Sequence, residues 1–160
     1  MDPSTSPPET EQDALDQLGE QFMQAVQLKS RGEVDAAEDV LREILKTEPR
    51  LAEPHMELAR ILLDTGRRQE AEDHAREAVQ HLQQGDTWTQ DIPEHIVRGL
   101  AHATLAEVLR QRADEDDVIF GDPETFHALV AESKQHFNEA ARLDPSDEYA
   151  SYHAFFLGPT

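Results

Sequence analysis

The chain has 160 residues, 38% of them hydrophobic, and its 34 acids against 14 bases give a formal charge of −20. That length suits one domain with a continuous core. The absence of cysteine excludes disulfides, thiolate metal sites and cysteine nucleophiles. An excess of acids on this scale opposes nucleic-acid phosphates and anionic lipid, so neither is expected as a partner.

Residues 1–12, MDPSTSPPETEQ, contain three prolines and are expected to form a tail outside a single helical domain over 13–160. Polar and acidic residues continue to Glu20 with no basic region followed by an apolar run, and no apolar stretch reaches membrane-span length. A soluble, cytoplasmic protein is the expectation. Leu15, Leu18, Phe22, Val26 and Leu28 then fall near helical spacing and stop at Ser30-Arg31-Gly32. A second apolar series, Val34, Ala37, Val40, Leu41, Ile44 and Leu45, ends at Glu48-Pro49. The next pair repeats the first: Met56, Leu58, Ala59, Leu62 and Leu63 lead to Gly66, and Ala71, Ala75, Ala78, Val79 and Leu82 follow. Gly32 and Gly66 lie 34 residues apart, as do Ala25 and Ala59, Leu28 and Leu62, and Ala37 and Ala71. A recurring offset of that kind is an internal repeat.

Further along, Leu105, Ala106 and Leu109 stand at an offset of 47 from Leu58, Ala59 and Leu62. Phe137, Ala140 and Pro145 close this third unit, with Ser133 in place of the early alanine. The segment 114–128 is additional, an acidic loop followed by a helix start with Asp122 as cap and Pro123 at the first helical position. Asp91-Ile92-Pro93-Glu94 has the form of a capping box, so the helix ending near Arg112 is expected to begin well before its repeat-like part. Ser146 can start a last helix over 146–157, with Tyr149, Tyr152, Phe155 and Phe156, that covers the final repeat.

These residues resemble the tetratricopeptide repeat family, a helical hairpin with small residues where its helices cross, a glycine in the turn and a closing proline. Ala25, Leu28, Gly32, Ala37, Leu41, Ile44 and Pro49 match in a first unit, 18–51; Leu58, Ala59, Leu62, Gly66, Ala71, Ala75 and Ala78 match in a second, 52–85, where Gln83 replaces the proline. Gln21 and Gln24 depart from the family's large apolar residues. A third unit spans 99–145 with its insertion. The resemblance implies an all-α, right-handed superhelical array of antiparallel hairpins, about three units plus a C-terminal capping helix. The repeated alanines let helices approach closely, and enlarging Ala71 is expected to cost about 1–3 kcal/mol by overpacking.

Eight histidines invite a search for metal or acid–base chemistry. His74 and His81 share a helix face with Glu77, and His95 and His102 repeat their spacing, but no HExxH or comparable cluster occurs. Asp114, Glu115, Asp116 and Asp117 lack the alternating ligands and glycine of a calcium loop. No phosphate loop or nucleophile elbow is present. Neither an enzyme, a cofactor nor a metal is therefore expected.

In the family the first helix of each unit lines a concave groove that takes a peptide or a helix. Mapped here, the partner-binding groove comprises Phe22, Val26 and Lys29, then Met56, Arg60 and Leu63, then Ala103, Glu107 and Arg110. Lys29, Arg60 and Arg110 would be available for carboxylates, making the groove less acidic than the protein as a whole. A variant of the family that clamps a chaperone's C-terminal carboxylate has Lys and Asn where Phe22 and Val26 stand, which points instead to an apolar peptide or helix. The resemblance thus implies a protein-interaction adaptor or co-chaperone-like module. The alternative is a structural protein that forms a homodimer through Trp88, Ile92, Ile119, Phe120 or the aromatic C-terminus. The acid excess, with eleven Arg to three Lys, suits a salt-rich host, a basic partner or simple solubility.

Overall fold

The computed structural model describes residues 10–86, 92–147 and 150. All regular structure among them is helical: α1 (Glu11–Ser30), α2 (Val34–Thr47), α3 (Ala52–Asp64), α4 (Arg68–Gln83), α5 (Glu94–Ala113), α6 (Asp116–Ile119) and α7 (Pro123–Leu143). The principal neighbours are α1 with α2, α3 with α4 and α5 with α7, while α2 meets α3, α4 meets α5, and α3 meets α5.

Local chemistry sets the ends of these elements. Thr10 accepts from the Asp13 N–H and starts α1, so the helix begins at Glu11, inside the segment expected as tail. At Gly32 and Gly66 the backbone enters the left-handed region, with φ of 84° and 82°, where a Cβ would be strained. The amide after each glycine reaches back to close the helix: Glu33 N to Leu28 O at 2.9 Å, and Arg67 N to Leu62 O at 2.8 Å. Gly85 repeats the arrangement after α4 and brings Asp86 against the end of that helix. α5 begins at Glu94, well before its repeat-like part, as expected. Pro93 is the cap residue and offers no side-chain bond, and Asp91 lies outside the described residues. Asp122 does cap α7, accepting from the Thr125 N–H, with Pro123 following it.

Ala25, Ala37, Ala52, Ala59, Ala71, Ala75 and Ala78 sit in the main core among Leu41, Ile44, Leu58, Leu62 and Leu109. Small residues there allow close helix approach, and the leucines fill the space between pairs. A smaller cluster joins Ala106, Phe137, Ala140 and Ala150. Ser133, standing where the other pairs have alanine, is fully buried and donates to the Ala106 carbonyl at 2.8 Å, which satisfies its hydroxyl. The expected helix over 146–157 falls mostly outside the described residues, as does Trp88.

The acids and arginines of the second helices form a ladder that repeats with the units. Arg42 bridges Glu38 on its own helix at 2.8 Å and Glu70 of the next pair at 2.9 Å. Thirty-four residues on, Arg76 bridges Glu72 at 3.1 Å and Glu132 of the next pair at 2.6 Å. Arg67 also clamps Glu38, and Arg112 clamps Glu72. Arg67 and Arg42 together hold the Glu38 carboxyl down to about 2 against the opposing effect of burial.

Candidate functional site

The residues mapped to the expected groove lie on α1, α3 and α5. Phe22, Val26, Met56 and Arg60 line one cavity of about 270 Å³ together with Glu53, Glu57, Ile92 and Leu100. Lys29, Arg60, Leu63, Ala103 and Glu107 line a second, of about 620 Å³, with Leu100 and the acids Asp64, Asp144 and Asp147. Arg60 and Leu100 border both, so the two cavities are contiguous along the first helices. Eight of the nine mapped residues therefore come together. Arg110 does not: it borders a different hollow beside Gly66, Arg67, Arg68 and Arg112. That hollow, about 1050 Å³, is larger than either of those two, but its arginines all face carboxylates of the protein itself, Arg67 to Glu38, Arg68 to Glu115, Arg110 to Glu107 and Arg112 to Glu72.

The electrostatics of the groove differ from the expectation. Lys29 is held by Glu57 at 2.6 Å and Arg110 by Glu107 at 2.7 Å, so two of the three bases assigned to ligand carboxylates are already engaged. Arg60 is exposed and has no such partner among the described residues. Glu53, Glu57, Asp64, Glu107, Asp144 and Asp147 outnumber Lys29 and Arg60 along the two cavities. Phe22, Met56 and Leu63 are largely buried, at 6%, 8% and 9% exposure, and contribute edges more than surface. The open apolar floor is Leu100, 37% exposed, one turn before Ala103 on α5. Leu100 is hard to pick out from the sequence because the equivalent position in the second pair is the charged Glu53; the early start of α5 is the signal that points to it.

A second feature lies between the helices of each later pair. His55 on α3 meets His74 on α4, Nδ1 to Nδ1, at 2.9 Å. His102 on α5 meets His136 on α7 in the same way at 2.8 Å. The offsets of 47 and 62 residues that relate these histidines are those that relate Ala59 to Ala106 and Ala71 to Ser133. Each pair ends on a carboxylate one turn back on the second helix: His74 on Glu70 at 3.7 Å and His136 on Glu132 at 3.5 Å. These are the glutamates that take Arg42 and Arg76 in the ladder. Burial pushes His55 and His102 down to about 4 and lowers His74 and His136 as well, so the pairs are neutral at pH 7 with one ring donating to the other.

Residues 28–88 match the family model described as tetratricopeptide repeat. This part of the chain is a tetratricopeptide-type repeat domain. The match takes in the end of α1 and all of α2, α3 and α4. Tetratricopeptide repeats are typically non-catalytic scaffolds that serve protein–protein interaction. A search of curated proteins found no match. Among the described residues no helix is long and apolar enough to cross a membrane.

Proposed function

We propose that the protein is an interaction adaptor that holds one face of a partner helix or extended peptide against α1, α3 and α5. The observation that carries this reading is the meeting of Phe22, Val26, Met56, Arg60, Leu63 and Ala103 along two contiguous cavities floored by Leu100. On this reading α5 and α7 are a third repeat of the same superhelical array, stretched by α6, and the segment 146–157 caps it. The acids around the floor favour a partner with apolar side chains flanked by Lys or Arg, since a basic flank gains Coulomb energy at the rim while the apolar residue is desolvated on Leu100.

The test is a pull-down from source-organism lysate with wild type, Leu100→Glu and Phe120→Ala. Leu100→Glu is expected to lose the captured protein while keeping the helical circular dichroism spectrum, and capture by wild type to weaken from 50 to 500 mM salt. Capture unchanged in Leu100→Glu would sink the groove as the site. A second reading, self-association, has one specific observation behind it: Ile119 and Phe120, at the end of α6, are 42% and 83% exposed. Ile92 offers it less, being partly buried against the core. If that reading is right, light scattering across a concentration series detects a dimer that Phe120→Ala returns to monomer.

A further inference from the structure

We propose that His55, Glu77 and His81 form a binding site for a divalent transition-metal cation of the zinc class, joining α3 to α4. A ligand atom from each of the three residues lies within 4.8 Å of the other two. Two imidazoles and a carboxylate are the donor set that zinc and its neighbours prefer over magnesium or calcium, and they leave a fourth position for water.

The hydrogen bonds around the three residues already have the form of a metal site's outer shell. His55 Nε2 is 2.7 Å from the Pro49 carbonyl, which can only accept, so this nitrogen carries the proton and Nδ1 keeps its lone pair. His81 lies between two carboxylates, and with its proton on Nδ1 toward Asp86, at 2.9 Å, Nε2 is left as the donor atom on the Glu77 side. Ligating histidines characteristically hand their second N–H to a carbonyl or carboxylate in this way, which fixes ring orientation and tautomer. The remaining nitrogen of His81 faces Glu77 Oε2 at 2.9 Å. A lone pair and a carboxylate tolerate that distance only with a proton or a cation between them, and a metal ion takes the place of the proton. On the His55 side, the ion displaces the hydrogen bond from His74 Nδ1.

Access and scaffold both suit the role. His55 is buried at 6% exposure and its ring stacks on that of His81 with centroids 5.8 Å apart, while the Glu77 side chain is half exposed and opens the site to solvent. The left-handed Gly85 turn, closed by Asp86 N on His81 O at 3.0 Å, is what brings Asp86 to His81; Arg50 also approaches Asp86, at 4.0 Å. The third pair supplies an internal control. His102, His136 and Glu139 stand in register with His55, His74 and Glu77, but Leu143 occupies the position of His81. The triad is complete in the second pair alone.

Untagged protein, stripped with chelator, is titrated with Zn²⁺ by calorimetry and with Co²⁺ by visible absorption at pH 7.5. Wild type is expected to bind one ion with a dissociation constant on the order of 1 μM or tighter, and Co²⁺ to give the intense visible bands of a four-coordinate site. His81→Leu, which copies the third pair, and Glu77→Gln weaken binding about 100-fold. Asp86→Asn, outside the ligand set, weakens it about 10–100-fold. His127→Leu, on the exposed face of α7, leaves it unchanged. Wild-type affinity weaker than about 100 μM, or affinity in both His81→Leu and Glu77→Gln within threefold of wild type, overturns the proposal. Circular dichroism confirms that each variant is folded, and Glu77→Gln, at a half-exposed position, provides a variant that does not depend on the core.

Discussion

The second and third helix pairs are built on one plan and finished differently. Both place a histidine pair between their helices, and both receive an arginine from the preceding pair on the glutamate beside that histidine. In the second pair the helices cross on Ala71 and Ala75, a glycine turn joins them, and His81 adds a polar group near the end. In the third pair the same positions hold Ser133, Phe137 and Leu143, and α6 replaces the tight turn. Repeat register thus specifies where helices meet, whereas the residue volume at each crossing specifies what they meet. In the main core the crossing residue is small; in the smaller cluster with Ala106, Ala140 and Ala150, phenylalanine fills the space.

The sharpest way to break this comparison is to exchange those volumes. Phe137→Ala leaves a cavity in the small cluster and is expected to cost about 3–5 kcal/mol, measured by urea denaturation. Ala75→Phe, the reverse exchange, overpacks a fully buried position and is expected to cost about 1–3 kcal/mol or more. Equal, small losses in both would mean that the two crossings are interchangeable.

Protonation separates the histidine pairs from the acid ladder by pH. His102 faces His136, Glu139, Arg98 and Arg142, and burial holds it near 4, below the ordinary 6.5. The fold prefers its neutral form, so its contribution is fully present above about pH 6.5 and is lost as pH falls from there toward 4, where roughly 3 kcal/mol is gone. Glu38 behaves oppositely in charge but acts in the same direction: with its carboxyl held near 2, its contribution is present above about pH 4.5 and fades only below that. Chemical denaturation followed from pH 7.5 to 4.5 is therefore expected to show a loss that His102→Gln reduces, and that Glu38→Gln does not. An identical pH slope in His102→Gln would show that the third-pair histidines do not report on folding.

Much of this architecture is legible in the sequence. The 34-residue offset of the alanines and of Gly32 and Gly66 identifies the first two pairs, because close helix crossings tolerate few residue types and left-handed turns fewer. The Asp122-Pro123 start is legible for the same reason, being a local rule with a single remedy. The histidine pairs were written there too, at the offsets that align the alanines, yet they were masked by the 7-residue spacing of His74 and His81, which draws attention along one helix when the partner is across the hairpin. The charge state of the groove was not legible. Whether Lys29 awaits a ligand or is taken by Glu57 depends on side-chain reach between helices, and periodicity carries no information about that.

Smaller effects probe how each pair is closed. Ser133→Ala leaves the Ala106 carbonyl without its donor in a fully buried place, and a loss of about 1–2 kcal/mol is expected even though alanine is the residue the other pairs use. The third crossing would thereby be shown to have adapted around its hydroxyl, since a mere relic of the repeat pattern would gain stability from alanine.

The smallest effect concerns the inserted connection. Asp122 accepts from the Thr125 amide at 3.1 Å and from its hydroxyl at 2.7 Å, holding the first turn of α7 where the second pair relies on the Gly66 turn. Asp122→Ala is expected to cost about 1 kcal/mol. The cap is exposed, and its loss leaves the core contacts of Phe137 and Ala140 intact, so the damage should stay local. Hydrogen exchange should then quicken in the first turn of α7 and leave α3 and α4 protected as before. Exchange that quickens equally across α4 would instead mean that the two pairs open as one cooperative unit, with the Arg76–Glu132 bridge transmitting the loss from the third pair to the second.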